Sequence, residues 1–170
     1  MNIVIRGELK PKISEQFLYQ LNDVEEGEEI NIYIDSVGGL CYVAEAIQFA
    51  IDELVEKKRK VTLIGMGNIL SAAFTLFFNA KGNKKVTPGT VGMIHMSSAR
   101  LELNEDGKIT DSYEQLRFDE LRRDAELTAA LVAKLKLPPQ DVEIIKNGGD
   151  LWFNDLQLKQ LIKECFTHKK

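Results

Sequence analysis

The hydrophobic period of this chain switches back and forth between two and 3.6, and that switching narrows the fold more than any other feature. "NIVIR" (2–6) alternates as a strand does, and "SEQFLYQLNDV" (14–24) then sets Phe17, Leu18 and Leu21 on one helical face, with Ser14 as the expected N-cap. "EEINIYID" (28–35) alternates again through Ile30, Ile32 and Ile34 before "SVGG" (36–39) breaks the pattern. From Leu40, an apolar stripe through Val43, Ala44, Ile47, Ala50, Ile51, Leu54 and Val55 predicts a long amphipathic helix. "KVTLIG" (60–65) reads as a strand, "LSAAFTLFFNA" (70–80) as a helix closed by Gly82, and "VGMIHM" (91–96) as a buried strand. Strands alternating with helices predict an α/β fold around a mainly parallel sheet. Sites in such sheets lie at the carboxyl ends of the strands. The ends here are "IDSVGG", "IGMGNILS" and "MIHMSS".

The second half has a different texture. "ARLELNEDGKITDS" (99–112) alternates around Asp106-Gly107, the signal of a β-hairpin or protruding arm. "YEQLRFDELRRDAELTAALVAKLKL" (113–137) predicts a long helix stopped by Pro138-Pro139. Its apolar residues Leu116, Leu121, Ala125, Leu131, Val132 and Leu135 occupy one side, which we read as an oligomer contact in preference to a cover over a site. On that reading Leu131→Asp weakens assembly before it weakens the isolated fold. A short helix, a stop at Gly148-Gly149, an aspartate and a last helix capped by Asn154 complete a single domain over 1–170.

Composition bounds the function. A chain of 170 residues with 44% hydrophobic and 28% charged residues is long enough for one globular core. A formal net charge of −4 argues against nucleic acid or an anionic membrane as partner. The basic stretches "EKKRK" (56–60) and "HKK" (168–170) read as solvated surface. Cys41 and Cys165 follow neither a metal-ligand nor a disulfide spacing and read as inert thiols of a cytosolic protein. No secretory signal opens the chain, and its longest apolar stretch, "ILSAAFTLFFNA" (69–80), is too short to span a bilayer.

Within this frame one serine poses a question. Ser71 stands in a run of small and apolar residues, either as a packing residue or as a nucleophile at the turn into a helix, whose N-terminus favours negative charge. Hydrolysis by serine needs an imidazole to take the hydroxyl proton, a carboxylate to hold that imidazole's tautomer, and backbone N–H groups for the oxyanion. His95 ends the strand "VGMIH", and Asp150 precedes "LWF". Gly38-Gly39 offers backbone free of side chains for close approach. Each has a plainer reading, as a hydrogen-bonded core histidine, a turn aspartate and a helix-entry turn. Asp124 stands as an alternative carboxylate for His95.

Taken together, "INIYIDSVGG" (30–39), "IGMGNILSAAFTLFFNAKGNKKVTPGTVGMIH" (64–95) and "GDLWFNDLQL" (149–158) resemble the proteolytic subunit of the Clp protease family, from Asn2 to about Ile162. "YIDSVGG" (33–39) is similar to the family's strand end, Gly67 and Ser71 to its serine motif, Ala80-Lys81-Gly82, Pro88 and Met93-Ile94-His95 to its histidine segment, and Asp150 to its aspartate. The resemblance implies a crotonase-like β-superhelix with a protruding hairpin-helix handle at about 97–136. It implies Ser71 as nucleophile, His95 as general base and acid, and Asp150 as the group orienting it. The oxyanion donors would be backbone N–H groups of Ala72 and of the pair Gly38 and Gly39, Gly39 above all. It also implies a homo-oligomer of stacked rings enclosing a chamber, peptide or unfolded protein as substrate, and neither metal nor cofactor. The chain opens at its first strand, without the axial segment the family uses to engage its ATPase, so docking to an unfoldase is left open. Ala72 and Ala73 stand where the family has methionine and glycine, Val37 where it has proline, and "HMSS" where it has "H-Q-P". The short start and "RGEL" suggest the phage-encoded or divergent branch, some of whose members process capsid proteins. A crotonase-type acyl-CoA enzyme and a catalytically silent ring component are the alternatives.

Overall fold

The computed structural model describes residues 1–97, 106–109 and 112–166. Among the described residues six strands form one sheet: β1 (Asn2–Leu9), β2 (Ile30–Gly39), β3 (Val61–Leu70), β4 (Asn83–Val86), β5 (Val91–Ile94) and β6 (Leu151–Phe153). The path runs β1-β2-β3-β5-β6, with β4 beside the first half of β3 and β5 beside its end. Every pairing is parallel except β5 with β6. The alternation read from the sequence is the pleat itself, since Ile3 and Ile5 pair with Ile32 and Ile34 and all four are buried.

The described residues also form six helices: α1 (Pro11–Leu21), α2 (Cys41–Glu56), α3 (Ala72–Asn79), α4 (Ser112–Leu135), α5 (Pro139–Lys146) and α6 (Asp155–Phe166). α3 is the centre of the core. Ala72, Ala73, Phe74, Leu76, Phe77 and Phe78 are all buried, as expected of a helix apolar on every side. Phe74 packs against Phe78 at 4.6 Å and Phe153 at 5.5 Å between ring centroids. Such contacts add to the roughly 2–3 kcal/mol that burying each ring contributes.

Several expectations need correction. Ser14 does not cap α1; the helix starts at Pro11, whose fixed φ suits the first position, and the Ser14 hydroxyl donates to the Pro11 carbonyl at 2.8 Å. β4 escapes sequence reading because its buried position is Lys84, which hides the alternation of "NKKV". β6 is only three residues long, too short to show a period. Leu131, expected at an oligomer contact, is 1% exposed in the single chain and belongs to its core with Val132 and Leu135. The same helix leaves Leu116 and Phe118 exposed near its start. The hairpin expected over 99–112 lies outside the described residues apart from 106–109 and Ser112, and "HKK" lies outside them altogether. The basic stretch 56–60 is surface except at Arg59: Lys57 pairs with Glu53 at 2.6 Å and Lys60 with Glu29 at 2.9 Å, whereas Arg59 is half-buried and donates to the Glu25 and Glu28 carbonyls.

Other expectations match. Asn154 and Gln157 cap α6 reciprocally, each side chain accepting the other's backbone N–H at 2.9 Å. α5 ends where the glycine pair predicts. Gly148 takes φ +76°, its N–H reaches the Ile145 carbonyl, and the Gly149 N–H reaches that of Ile144. This closure delivers Asp150 to the start of β6.

Candidate active site

Three adjacent strands carry the three candidate side chains, and the ladder registers bring them level. β3 pairs with β5 through Leu70 and Met93, and the Ser71 N–H extends that ladder to the Met93 carbonyl at 2.8 Å. β5 pairs with β6 through Ile94 and Leu151, so the next step outward sets His95 opposite Asp150. Each of the three stands one residue beyond the paired segment, where side chains are free to turn toward each other. The Ser71 Oγ lies 2.8 Å from His95 Nε2, and His95 Nδ1 lies 3.1 Å from Asp150 Oδ1. His95 and Asp150 are partly open to solvent.

The segment leading to Ser71 is shaped by an irregularity. Ile34 pairs with Gly65 but Ser36 with Ile69, so β3 holds two extra residues between those pairs. The Asp35 carboxylate closes this bulge by accepting the Asn68 N–H at 3.1 Å, and Gly67 takes φ +60° with no room for a side chain against Asp35. Ser71 itself has φ 55° and ψ −124°, a conformation rare for a residue with a side chain. It lifts the hydroxyl out of the helix that begins at Ala72, and the Ser71 carbonyl accepts from the Phe74 and Thr75 N–H groups.

The glycine pair at the end of β2 backs directly onto the serine. A Cβ on Gly38 would lie 2.6 Å from the Leu70 carbonyl oxygen and 2.8 Å from the Ser71 Cβ. The Gly38 N–H donates to the Ser36 hydroxyl at 3.1 Å, which takes it out of the expected set of anion donors. Gly39 lines the cavity beside Ser71 and His95. Ala72 is the first residue of α3, so its N–H has no acceptor within the helix.

Asp124 is not the carboxylate of His95. Both ring nitrogens of that histidine are taken, by Ser71 and Asp150. Asp124 is buried on α4 beside Cys41, and burial first, with the Asp124 carboxylate second, pushes the Cys41 thiol up to about 12. A thiol held protonated is no nucleophile. Cys165 is also free, its thiol raised by burial. Sequence reading missed Ser36 and Asp35, whose work is visible only once the register of β2 against β3 is known. Among the described residues no group of three His, Cys, Asp or Glu side chains is arranged to hold a metal, and no helix is long and apolar enough to cross a membrane.

A largely parallel sheet of this order, wrapped by helices and carrying its polar cluster at the strand ends, has the crotonase-like α/β fold. The model of the Clp protease family matches residues 1–143, and the chain belongs to that family of serine peptidases. Among solved structures it is similar to a point mutant of ClpP1 from Listeria monocytogenes, with a TM-score of 0.70 and 24% identity, over 94% of this chain and 86% of that one. No curated protein sequence matches it.

Proposed function

We propose that the protein is a serine endopeptidase in which Ser71, His95 and Asp150 form the catalytic triad. The observation that carries this reading is the continuous pair of contacts, 2.8 Å from Ser71 to His95 and 3.1 Å from His95 to Asp150, made by residues distant in sequence. Asp150 accepts a hydrogen bond from Nδ1–H and so leaves Nε2 as the acceptor for the serine hydroxyl. As Ser71 attacks a peptide carbonyl, His95 takes its proton and returns it to the departing amine. A water then repeats the sequence on the acyl-enzyme. The oxyanion is held by the N–H groups of Ala72 and Gly39, where one donor is worth about 3 kcal/mol of barrier. The strained serine holds this geometry before substrate arrives.

Family membership also supports stacked rings as the working assembly and peptides or unfolded polypeptides as substrates. An ATPase unfoldase is the partner that would feed such a chamber. A fluorophosphonate probe tests the chemistry. It should label the wild-type protein on Ser71 and leave Ser71→Ala unlabelled. Absence of label on the wild type, under conditions that label a related peptidase, would leave a silent ring component in its place.

A further inference from the structure

A cavity of about 410 Å³ opens beside Ser71 and His95, between the start of α2 and the middle of α4. Its charged lining consists of Glu45, Glu120 and Asp124 on one side of the balance and Arg117 and Arg123 on the other. The two cations are committed: Arg123 pairs with Glu45 at 2.6 Å, and Arg117 has a partner of its own. Asp124 is different. It is 5% exposed; its carboxylate takes a hydrogen bond from the Cys41 thiol, but its Oδ2 has no hydrogen-bond partner among the described residues. A neighbouring void of about 10 Å³, between Asp124, Cys41 and Ala72, has room for about one water.

A carboxylate oxygen buried without a partner is costly, and proteins keep such groups where something else completes them. The nearby Cys41 is a weak donor and carries no charge. The missing group must therefore donate hydrogen bonds; a water in the small void does so without charge, and a cation does so more strongly and also compensates the carboxylate. An aliphatic side chain in the same space would shut Asp124 away from water with its charge uncompensated. An acidic one would face Asp124 and Glu120 together.

Resting on the peptidase reading, we infer that this cavity is the S1 pocket and that it selects a lysine or arginine at P1, whose cationic end supplies the partner that Asp124 Oδ2 lacks. The inference is tested without catalysis on Ser71→Ala, using two peptides identical except for lysine or norleucine at P1. The lysine peptide should bind about 30-fold more tightly, the worth of one hydrogen bond between charged groups. Asp124→Asn, which keeps the side-chain shape, should shrink that gap to about threefold. Glu120→Gln, at the exposed rim, should change it less than about twofold. Equal or tighter binding of the norleucine peptide overturns the inference, as does an unchanged gap in Asp124→Asn or failure of either peptide to bind. Because the lysine-norleucine ratio is also read as kcat/KM on the protein with Asp124 intact, the result does not depend on how well the variant folds. Failure of fluorophosphonate labelling would instead sink the peptidase reading, and the binding ratio would still report on the pocket.

Discussion

At its first residue α3 meets Ser71, held at φ 55°, with the Ala72 N–H unpaired within the helix and a cavity in front. At its other end the helix is sealed. The Lys134 ammonium donates to the Phe78 carbonyl at 3.1 Å and Lys84 to that of Ala80 at 2.5 Å, and both cations sit over the Phe166 ring, at 4.6 and 4.4 Å from its centroid. Both ends answer the same requirement, that terminal backbone groups find partners and that the helix dipole meet charge of the right sign. The closed end meets it with the protein's own side chains. On the proposed mechanism the open end leaves it for a substrate oxyanion, at a strain cost of about 1–3 kcal/mol. Apolar burial along α3 holds the two together.

Changes at the open end should lower activity far more than stability. Asp150→Asn keeps the shape of the group but loses the tautomer control of His95. Turnover of a peptide substrate should fall by roughly four orders of magnitude, with the thermal midpoint almost unmoved. An unchanged rate would break the assignment of Asp150. Leu131→Asp acts on the closed side, three residues before Lys134 on α4. Burying a carboxylate where Leu131 is 1% exposed should cost about 4 kcal/mol or more of the chain's own stability, measured by denaturant unfolding at concentrations too low for assembly. A folded, merely monomeric variant would restore the oligomer-contact reading of that residue. Gly38→Ala joins the two effects. At φ +90° and 2.6 Å from the Leu70 carbonyl oxygen, the added methyl must move the backbone that carries Ser71. A loss of about 2–3 kcal/mol together with loss of fluorophosphonate labelling is expected. Normal labelling would show the glycine to be dispensable.

The open end was more legible in the sequence than the closed one, for a physical reason. Chemistry demands particular residue types, so Ser71, His95 and Asp150 could be picked out singly, and the glycine pair marked the close approach behind them. Their convergence could not be read without resemblance, because it rests on two ladder registers, Leu70 with Met93 and Ile94 with Leu151, and the second belongs to an antiparallel strand only three residues long. The closed end uses lysines, which in sequence read as surface. Lys84 is 8% exposed, its alkyl stem buried and its charge on a carbonyl, and no local pattern announces that. Asp124 was misplaced for a related reason: its helix was visible, but which face of it met Cys41 was not.

Lys84 offers the finest test of the contrast, because its charge state can be set from outside. Burial, and after it the nearby Lys134, hold the Lys84 amine down at about 8, below its ordinary 10.5. Below that lowered value both folded and unfolded chains carry the proton, and the full cost of a buried charge is present, offset in part by the Ala80 carbonyl and the Phe166 ring. As pH rises from about 8 toward 10.5 the folded amine loses its proton first, so the unfolded chain binds more protons and stability rises with pH. Lys84→Met has no such titration. Between about pH 7 and 9.5 the wild type should therefore gain about 2 kcal/mol relative to Lys84→Met in urea unfolding, with peptidase activity little changed at either pH. Parallel stability curves for the two proteins would mean that the cation at the closed end is solvated after all, and that the seal on α3 rests on Lys134 and Phe166.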